Sequence, residues 1–233
     1  MEVFPIRIEK MKRGQRLKKA ILRDFSGFPL RDGDIIAVSG KILSLLEGRT
    51  YLLSSKNDFS RIVEREAEFV WDSFPNLKLS IVYGSLSPNS GIDSSNIERE
   101  SIILYPTVPN IKAEEIRLLF LLYFNVYVGV LLIDSRLFPL RKGTTGVAIG
   151  FSGIIPILDD RGKVDLFGNK LKVTKRSIID DLAAIAHLVM GESDERIPYV
   201  VIRGFKKYVT RRKESFKLSV PPTECIYFRT LYG

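Results

Sequence analysis

Residues 127–135 read YVGVLLIDS, an apolar run that ends in a carboxylate and a hydroxyl. A strand that is apolar at every position is typical of an α/β sheet in which both faces of the strand are covered. The run therefore predicts a buried strand over residues 127–133, with Asp134 and Ser135 at its carboxyl end. Ligands of open α/β sheets bind at such ends, so Asp134 is the first candidate for a functional residue.

The segments around this strand predict further strands and helices. The run DIIAVS at 34–39 lies between two glycines and indicates a second buried strand. SIIDDLAAIAHLVM at 177–190 is typical of a helix that Ser177 caps, with Asp180 at the capping-box offset and Gly191 at its end. We therefore expect a mixed α/β (α+β) protein, with further helices over 41–48, 58–74 and 112–124 and a last strand over 197–202.

Composition limits the possible classes of protein. The chain has 233 residues, 45% of them apolar, which is enough for one large domain or two small subdomains. No apolar run reaches the roughly 20 residues that span a bilayer, and the N-terminus lacks the order of a signal peptide, so we expect a cytoplasmic protein. The single cysteine, Cys225, and the single histidine, His187, exclude a disulfide framework and a multi-thiolate metal site. Oxygen ligands favour Mg²⁺, Mn²⁺ or Ca²⁺ over zinc.

The chain is basic, with a formal net charge of +9. Its densest basic run, RGFKKYVTRRK at 203–213, carries six cations with Phe205 and Tyr208 between them. Such a run could follow a nucleic-acid backbone and stack on bases. A solvated face or a mobile loop explains the same pattern more simply, and we favour that interpretation.

Carboxylates stand beside small or polar residues at three positions: Asp93 in SGIDSSN, Asp134 in LLIDSR and Glu192 in MGESDERIP. Hard divalent cations bind carboxylate, hydroxyl and water oxygens, and Ser135 could add a hydroxyl next to Asp134. The alternative is structural, because acidic residues that follow strands and helices commonly cap helices or form turns. The spacing alone leaves both interpretations open.

Several motifs occur together and in a fixed order. They are GDIIAVSGKILSLLEGR (33–49), NSGIDSSN (89–96), VGVLLIDS (128–135), RKGTTGVAIGFSGI (141–154), DLFGNKLKVT (165–174), DDLAAIAHLVMGE (180–192) and IPYVVIRG (197–204). In this order they resemble the coenzyme F-420:L-glutamate ligase family, the CofE-type gamma-glutamyl ligases. The resemblance covers residues 33–204. It implies one CofE-like domain over residues 1–233 with two interleaved subdomains, in which the basic segment 205–233 lies beyond the residues that carry the resemblance. It also implies an intertwined homodimer.

The resemblance also implies an activity. Members of this family use GTP to phosphorylate a carboxylate of the deazaflavin coenzyme precursor, and the amine of L-glutamate then displaces the phosphate. Mg²⁺ or Mn²⁺ is expected, with K⁺ as a further ion, and neither a membrane nor nucleic acid is expected as a partner. The residues that carry over as metal ligands are Asp93, Asp134, Ser135 and Glu192, and those that carry over as nucleotide contacts are Ser39, Lys41, Asn96, Arg141, Gly143 and Gly146.

The sequence departs from the family pattern near this site. Leu45 stands where a second lysine is usual, Leu137 and Phe138 replace a Gly-Arg pair, and RIEKMKRG at 7–14 lacks the usual Gly-hydrophobic-Pro segment. These changes motivate an alternative, a degenerate member that binds a nucleotide or a phosphorylated ligand without catalysis. A nucleic-acid binder that uses residues 203–213 is a third interpretation. We interpret His187 as a packed or capping histidine and Trp71 as a core residue.

Overall fold

The protein is described by a computed structural model that covers residues 1–9, 14–74, 77–212 and 218–232. The chain divides into two compact units, and each unit combines two separate stretches of sequence. Unit 1 comprises Met1–Gly48 and Pro106–Glu214, and unit 2 comprises Arg49–Tyr105 and Ser215–Gly233. The predicted mixed α/β fold is confirmed, and the units alternate along the chain.

The elements are given in chain order. The strands are β1 (Glu2–Ile6), β2 (Ile35–Ser39), β3 (Thr50–Leu52), β4 (Phe69–Phe74), β5 (Leu77–Val82), β6 (Ser85–Pro88), β7 (Ser101–Ile103), β8 (Gly129–Leu137), β9 (Thr144–Ser152), β10 (Ile157–Asp159), β11 (Lys175–Ser177) and β12 (Tyr199–Arg203). The α-helices are α1 (Leu17–Asp24), α2 (Gly40–Leu46), α3 (Lys56–Glu66), α4 (Pro109–Phe124), α5 (Ile178–Met190) and α6 (Ile226–Tyr232). Short 3-10 helices lie at Asn89–Gly91 and Lys206–Tyr208.

The main sheet of unit 1 has five strands in the order β1-β12-β2-β8-β9. Strands β2 and β8 run parallel, with Ser39 paired to Ile133, and the other neighbours are antiparallel. The carboxyl end of β2 therefore lies beside Ile133, and β8 continues beyond it through Asp134 and Ser135 to Leu137. The apolar residues of β2 and those of β8 up to Ile133 are buried, which confirms the prediction from their unbroken hydrophobicity. The predicted strand end at residue 133 is wrong, because pairing with β9 continues β8 through Asp134 and Ser135 to the exposed Leu137.

Two helices cover opposite faces of the β8–β9 pair. Gly146 packs against α5 and Gly150 packs against α4, and a Cβ atom at either position would lie within 2.6 Å of helix atoms. Their partners on β8 are Ser135 and Leu132, which are three residues apart and so point to opposite faces. The two glycines allow β9 to approach both helices closely.

Helix α5 begins as the sequence predicts, but its cap uses different hydrogen bonds. Ser177 is the N-cap residue, although its side chain accepts no capping bond from the backbone. Its hydroxyl donates to Asp180 Oδ2 at 2.6 Å, and the backbone N–H of Ala148 donates to Asp180 Oδ1 at 3.0 Å. Asp180 therefore ties the start of α5 to β9. Gly191 ends the helix with a φ of +70°, as predicted.

The predicted helix over 58–74 is wrong in its second half. Helix α3 ends at Glu66, and residues 69–74 form β4, which pairs with β5 in the three-stranded sheet β4-β5-β6 of unit 2. The aromatic-rich sequence FVWDSF suits a strand, and pairing with β5 decides its conformation. Trp71, predicted as a core residue, lies on β4 with 39% of its surface exposed and stacks against Phe69.

The other predicted strands and helices are present, with ends shifted by a few residues. Unit 2 has its own apolar cluster, in which Ile62, Ile102 and Leu104 are buried. Across the described ranges, no helix is both long enough and apolar enough to cross a membrane.

Candidate functional site

The carboxyl end of β2 and the neighbouring part of β8 bring several predicted residues of unit 1 close together. Ser39 ends β2 and is the N-cap residue of α2, and Lys41 lies in the first turn of that helix. Asp134 and Ser135 follow Ile133, the partner of Ser39, on β8. The parallel pairing therefore places two predicted nucleotide contacts beside two predicted metal ligands.

Glu192 lies just after helix α5 and connects it to the β8–β9 pair. Its Oε1 atom lies 2.6 Å from His187 Nε2 and accepts a hydrogen bond of 3.2 Å from Thr144 Oγ1. The Ser135 side chain also hydrogen-bonds the Glu192 carboxylate. Ser135 and Glu192, both predicted from the sequence, are thus in direct contact.

The surroundings of Glu192 stabilise its charged form. Partial burial acts to raise the pKa of Glu192, but hydrogen bonds with His187, Ser135 and Thr144 outweigh it and hold the pKa below the ordinary value. Glu192 is therefore ionised at neutral pH and offers negative oxygen to a cation.

Asp134 has a different environment from Ser135. Successive residues of a strand point to opposite faces, so Asp134 points away from the α5 side, where Ser135 meets Glu192. Its Oδ2 atom lies 3.7 Å from Nε of Arg136, which is 97% buried in its side chain. The structure thus separates the predicted ligands of unit 1 onto the two faces of β8.

The predicted phosphate contacts lie on and before β9. Arg141 and Gly143 are exposed in the connection between β8 and β9, and Gly143 has a φ of +88° with open space where a Cβ would be. Gly146 is buried instead, and a Cβ there would lie 2.3 Å from the carbonyl oxygen of Ala183. Helix packing therefore accounts for Gly146, whereas Arg141 and Gly143 are accessible to a ligand.

Asp93 belongs to unit 2, where a tightly hydrogen-bonded turn precedes it. Asn89, Ser90 and Gly91 all have positive φ, between 48° and 66°. The Ser90 hydroxyl donates to the carbonyl of Val63 at 2.7 Å, and the Ser90 N–H donates to Ser80 Oγ at 2.8 Å. These buried bonds offset the cost of the left-handed backbone and fix the path of the chain into Asp93.

The Asp93 backbone pairs with Ile103, and its side chain forms a local turn. Both carboxylate oxygens accept hydrogen bonds from Ser95, from N–H at 2.6 Å and from the hydroxyl at 3.1 Å. The carboxylate therefore takes part in a turn with Ser95, and its role as a metal ligand stays a prediction. Asn96, the other predicted residue of the motif, is exposed with a φ of +55°.

The donor atoms suit a hard divalent cation, although they do not form a compact cluster. Ser135 and Thr144 provide hydroxyl oxygens around the Glu192 carboxylate, and Asp134 provides a second carboxylate on the same strand as Ser135. Oxygen donors of this kind are those that Mg²⁺ and Mn²⁺ prefer. Among the residues that the structure describes, no three His, Cys, Asp or Glu side chains are grouped so that they could hold a metal ion.

Two residues of the Glu192 cluster were not predicted from the sequence. The interpretation of His187 as a packed or capping residue misses its contact with Glu192, and Thr144 was not singled out within the glycine-rich segment. His187 lies in the last turn of α5, five residues before Glu192, and the turn at Gly191 brings the two side chains together.

The positions that depart from the family pattern differ in exposure: Leu45 is half-buried on α2, while Leu137 and Phe138 are about half exposed.

The fold and these motifs define the class of protein. The chain belongs to the F420-0:Gamma-glutamyl ligase family, whose model matches residues 59–204. The resemblance seen in the sequence motifs is thereby confirmed.

Curated relatives extend this similarity over most of the chain. A Coenzyme F420:L-glutamate ligase of Archaeoglobus fulgidus is 35% identical over 221 residues, which cover 88% of each chain. A protein of the same name from Methanocaldococcus jannaschii has the same identity and coverage, and one from Methanopyrus kandleri is 33% identical over 229 residues, 91% of this chain and 90% of the relative. The alternative of a degenerate, non-catalytic member gains no support from these relatives.

Proposed function

We propose that this protein is a GTP- and divalent-metal-dependent ligase that joins a carboxylate of the coenzyme F-420 precursor to the amine of L-glutamate. The observation that carries this proposal is the set of carboxylate and hydroxyl oxygens on β8, at the start of β9 and just after α5, in a chain of the gamma-glutamyl ligase family. The cations proposed to bind phosphate are Lys41, in α2, and Arg141, in the connection between β8 and β9.

The proposed reaction has two steps. A carboxylate oxygen of the precursor attacks the γ-phosphorus of GTP, and GDP leaves with the bridging oxygen. The amine of L-glutamate then attacks the acyl carbon, loses a proton and displaces inorganic phosphate to leave an amide. Activation as an acyl phosphate is required because a free carboxylate has a poor leaving group.

The protein contributes positioning and charge neutralisation, which dominate phosphoryl transfer. A divalent cation supplies neutralisation of phosphate charge when bound. We propose metal-ligand roles for Asp134, Ser135 and Glu192 in unit 1 and for Asp93 in unit 2. The proposed phosphate contacts are Ser39, Lys41, Asn96, Arg141 and Gly143, and Gly146 is left out because α5 covers it. K⁺ is proposed as a further ion.

Calorimetric titration tests the donor site directly. Purified protein would be titrated with GTP and with ATP, each with and without Mn²⁺, and Asp134→Asn would be compared with the wild type. We expect Mn²⁺-dependent GTP binding that Asp134→Asn weakens by about tenfold or more, because the variant loses a charged ligand. Asp181→Asn, at an exposed position in the first turn of α5, is the matched control.

Product analysis then tests the ligase step. GDP release should require both the coenzyme precursor and L-glutamate, with the new amide detected by mass spectrometry. Binding of neither nucleotide would contradict the proposal and favour the non-catalytic alternative. Unchanged nucleotide affinity in Asp134→Asn would remove Asp134 from the proposed ligands.

We also propose that the protein is a homodimer, as the family resemblance implies. Light scattering should give a mass of about twice the chain mass of 26.5 kDa. A mass of one chain at micromolar concentration would contradict this part of the proposal.

A further inference from the structure

His187 is the single histidine of the protein, and its side chain is largely shielded, with 18% of its surface exposed. It lies in the last turn of α5, and its Nε2 atom is 2.6 Å from Glu192 Oε1. The distance is that of a strong hydrogen bond to a carboxylate. Helix packing alone does not explain this contact, because Nε2 points towards Glu192, whose side chain is about half exposed.

The backbone of β9 determines how closely His187 approaches the site. A Cβ atom at Gly146 would lie 2.5 Å from the Cβ of His187 and 2.3 Å from the carbonyl oxygen of Ala183. Only glycine therefore allows this turn of α5 to rest on β9. Thr144 lies two residues before Gly146, on the same face of β9. Its hydroxyl donates a hydrogen bond to Glu192 Oε1, which is also the oxygen that the His187 imidazole contacts.

The direction of the hydrogen bond follows from the chemistry of its partners. An ionised carboxylate only accepts hydrogen bonds, so the imidazole must carry a proton on Nε2 and donate it. Oε1 of Glu192 consequently receives one hydrogen bond from the helix side and one from β9. Two donors on one oxygen restrict rotation of the carboxylate about its side-chain bonds.

We infer that His187 is a positioning residue, which fixes the Glu192 carboxylate in the orientation that binds a divalent cation. Partners of this kind orient a ligand, and their loss commonly weakens metal binding by about 10- to 100-fold. The inference rests on the proposed metal-dependent function. It assigns to His187 a role in metal affinity through Glu192, without contact between His187 and the substrates.

The first test measures the His187–Glu192 contact in metal-free protein. Because the chain has one histidine, the imidazole ¹⁵N signals of uniformly labelled protein are unambiguous. We expect the tautomer protonated on Nε2 and a clear change in both ring nitrogen shifts in Glu192→Gln. Asp181→Asn should leave them unchanged. Ring signals that Glu192→Gln does not alter would overturn the inference without any metal being present.

The second test measures Mn²⁺ affinity from the electron paramagnetic resonance signal of the free ion. We expect His187→Ala to raise the Kd by about tenfold. His187→Gln should recover most of this loss, because its amide can donate to Glu192 in place of the imidazole. Leu188→Ala, at the next residue with 84% of its surface exposed, is the matched control and should bind like the wild type.

Comparison with ligand variants separates this inference from the proposed function. If Glu192→Gln weakens Mn²⁺ binding and His187→Ala does not, the inference is overturned and the metal site stands. If only Asp134→Asn weakens binding, Glu192 is not a ligand and the inference also fails. If Asp134→Asn, Glu192→Gln and His187→Ala all bind Mn²⁺ normally, the proposed metal assignment fails together with the inference.

Discussion

Leu45 lies on α2, four residues after Lys41, and is half-buried. Residues four apart are neighbours on a helix surface, so a lysine at this position would add a second cation beside Lys41. We expect Leu45→Lys to tighten GTP binding about tenfold, since a charge-assisted hydrogen bond contributes roughly 1.5–3 kcal/mol and part of this is lost in burying the new charge. Calorimetry with GTP and Mn²⁺ measures the change.

Leu45→Met is the control for this substitution, because it keeps an apolar side chain of similar volume. Its GTP affinity should equal that of the wild type. A neutral or weakening effect of Leu45→Lys would show that the nucleotide is bound by a different set of side chains around α2.

At the residue scale, the sequence patterns identified the candidate carboxylates, but they missed some of the side chains that contact these carboxylates. Asp134 and Glu192 could be predicted as candidates because each follows a strand or helix with a clear hydrophobic pattern. Thr144 and His187 could not, because their contact with Glu192 depends on how closely α5 packs against β9. Gly146 shows a second limit of sequence-based prediction. A glycine that binds phosphate and a glycine that packs under a helix cannot be distinguished from the sequence alone.

Gly146 is the element-scale feature that joins α5 to β9. We expect Gly146→Ala to lower the free energy of unfolding by about 1–3 kcal/mol, because the added methyl group meets backbone atoms of α5 that cannot rotate away. Urea denaturation measures this loss. Gly27→Ala is the control, because no heavy atom lies within 4 Å of a Cβ built at Gly27. Equal stability of the two variants would mean that α5 can shift without cost.

The β10–β11 hairpin carries a cluster of charges whose effect depends on pH. Hydrogen bonds from Arg176 at 2.6 Å and from Lys163 hold the pKa of Asp160 below its ordinary value of 3.8. A carboxyl group whose pKa is lower when folded stabilises the folded state above its unfolded pKa, and this stabilisation disappears as the pH falls through the folded pKa. The contribution of Asp160 is therefore present above pH 3.8, decreases as the pH falls below that value, and is lost once the pH is below the lowered folded pKa.

Arg176→Ala removes the largest cause of this shift. We expect the pKa of Asp160 in the variant to move up towards its ordinary value, and acid unfolding of the variant to begin at a higher pH. Carboxyl carbon NMR shifts followed through an acid titration report the pKa directly. Arg161→Ala is the control, because Arg161 pairs with Asp159 instead. The same Asp160 titration in Arg176→Ala and wild type would contradict the assignment.

At the same scale, helices and strands with strong hydrophobic patterns could be predicted well. Helix α5 and strand β2 match their predicted positions to within one residue, because their burial leaves a clear pattern in the sequence. Strand β8 begins two residues later than predicted and continues four residues beyond Ile133, since pairing with β9 extends it past the apolar run. The segment that forms β4 could not be predicted, since its apolar spacing near Val70 also fits a continued helix. Pairing with β5 decides between helix and strand for this segment. The local sequence pattern contains no information about that pairing.

For the whole molecule, order of motifs was more informative than composition. Composition gave a folded and basic protein of one or two domains, and the motif order gave the family. The division into interleaved units depends on contacts between distant stretches, such as those that place residues after Ser215 with Arg49–Tyr105. No periodicity in the sequence encodes this association.

The net charge of +9 concerns the whole molecule and makes a prediction about nucleic acid. Two cations of the basic run already bind within unit 1: Arg203 pairs with Asp34 at 2.7 Å, and Arg211 lies over the Tyr127 ring at 3.8 Å. Lys213 lies outside the described residues. Because Asp34 neutralises Arg203 and the Tyr127 ring covers one face of Arg211, we expect weak binding to a labelled single-stranded oligonucleotide, lost between about 50 and 200 mM salt.

Fluorescence anisotropy at both salt concentrations measures this binding, and the double variant Lys207→Ala/Arg212→Ala provides the comparison. These two side chains are exposed, so their loss should reduce oligonucleotide binding at low salt without changing Mn²⁺-dependent GTP binding. A specific nucleic-acid site would behave differently, since base contacts and stacking persist when counterion release is suppressed. Tight oligonucleotide binding at the higher salt concentration would therefore reinstate the nucleic-acid interpretation, whereas its loss assigns the charge to general attraction of anions, including polyphosphates.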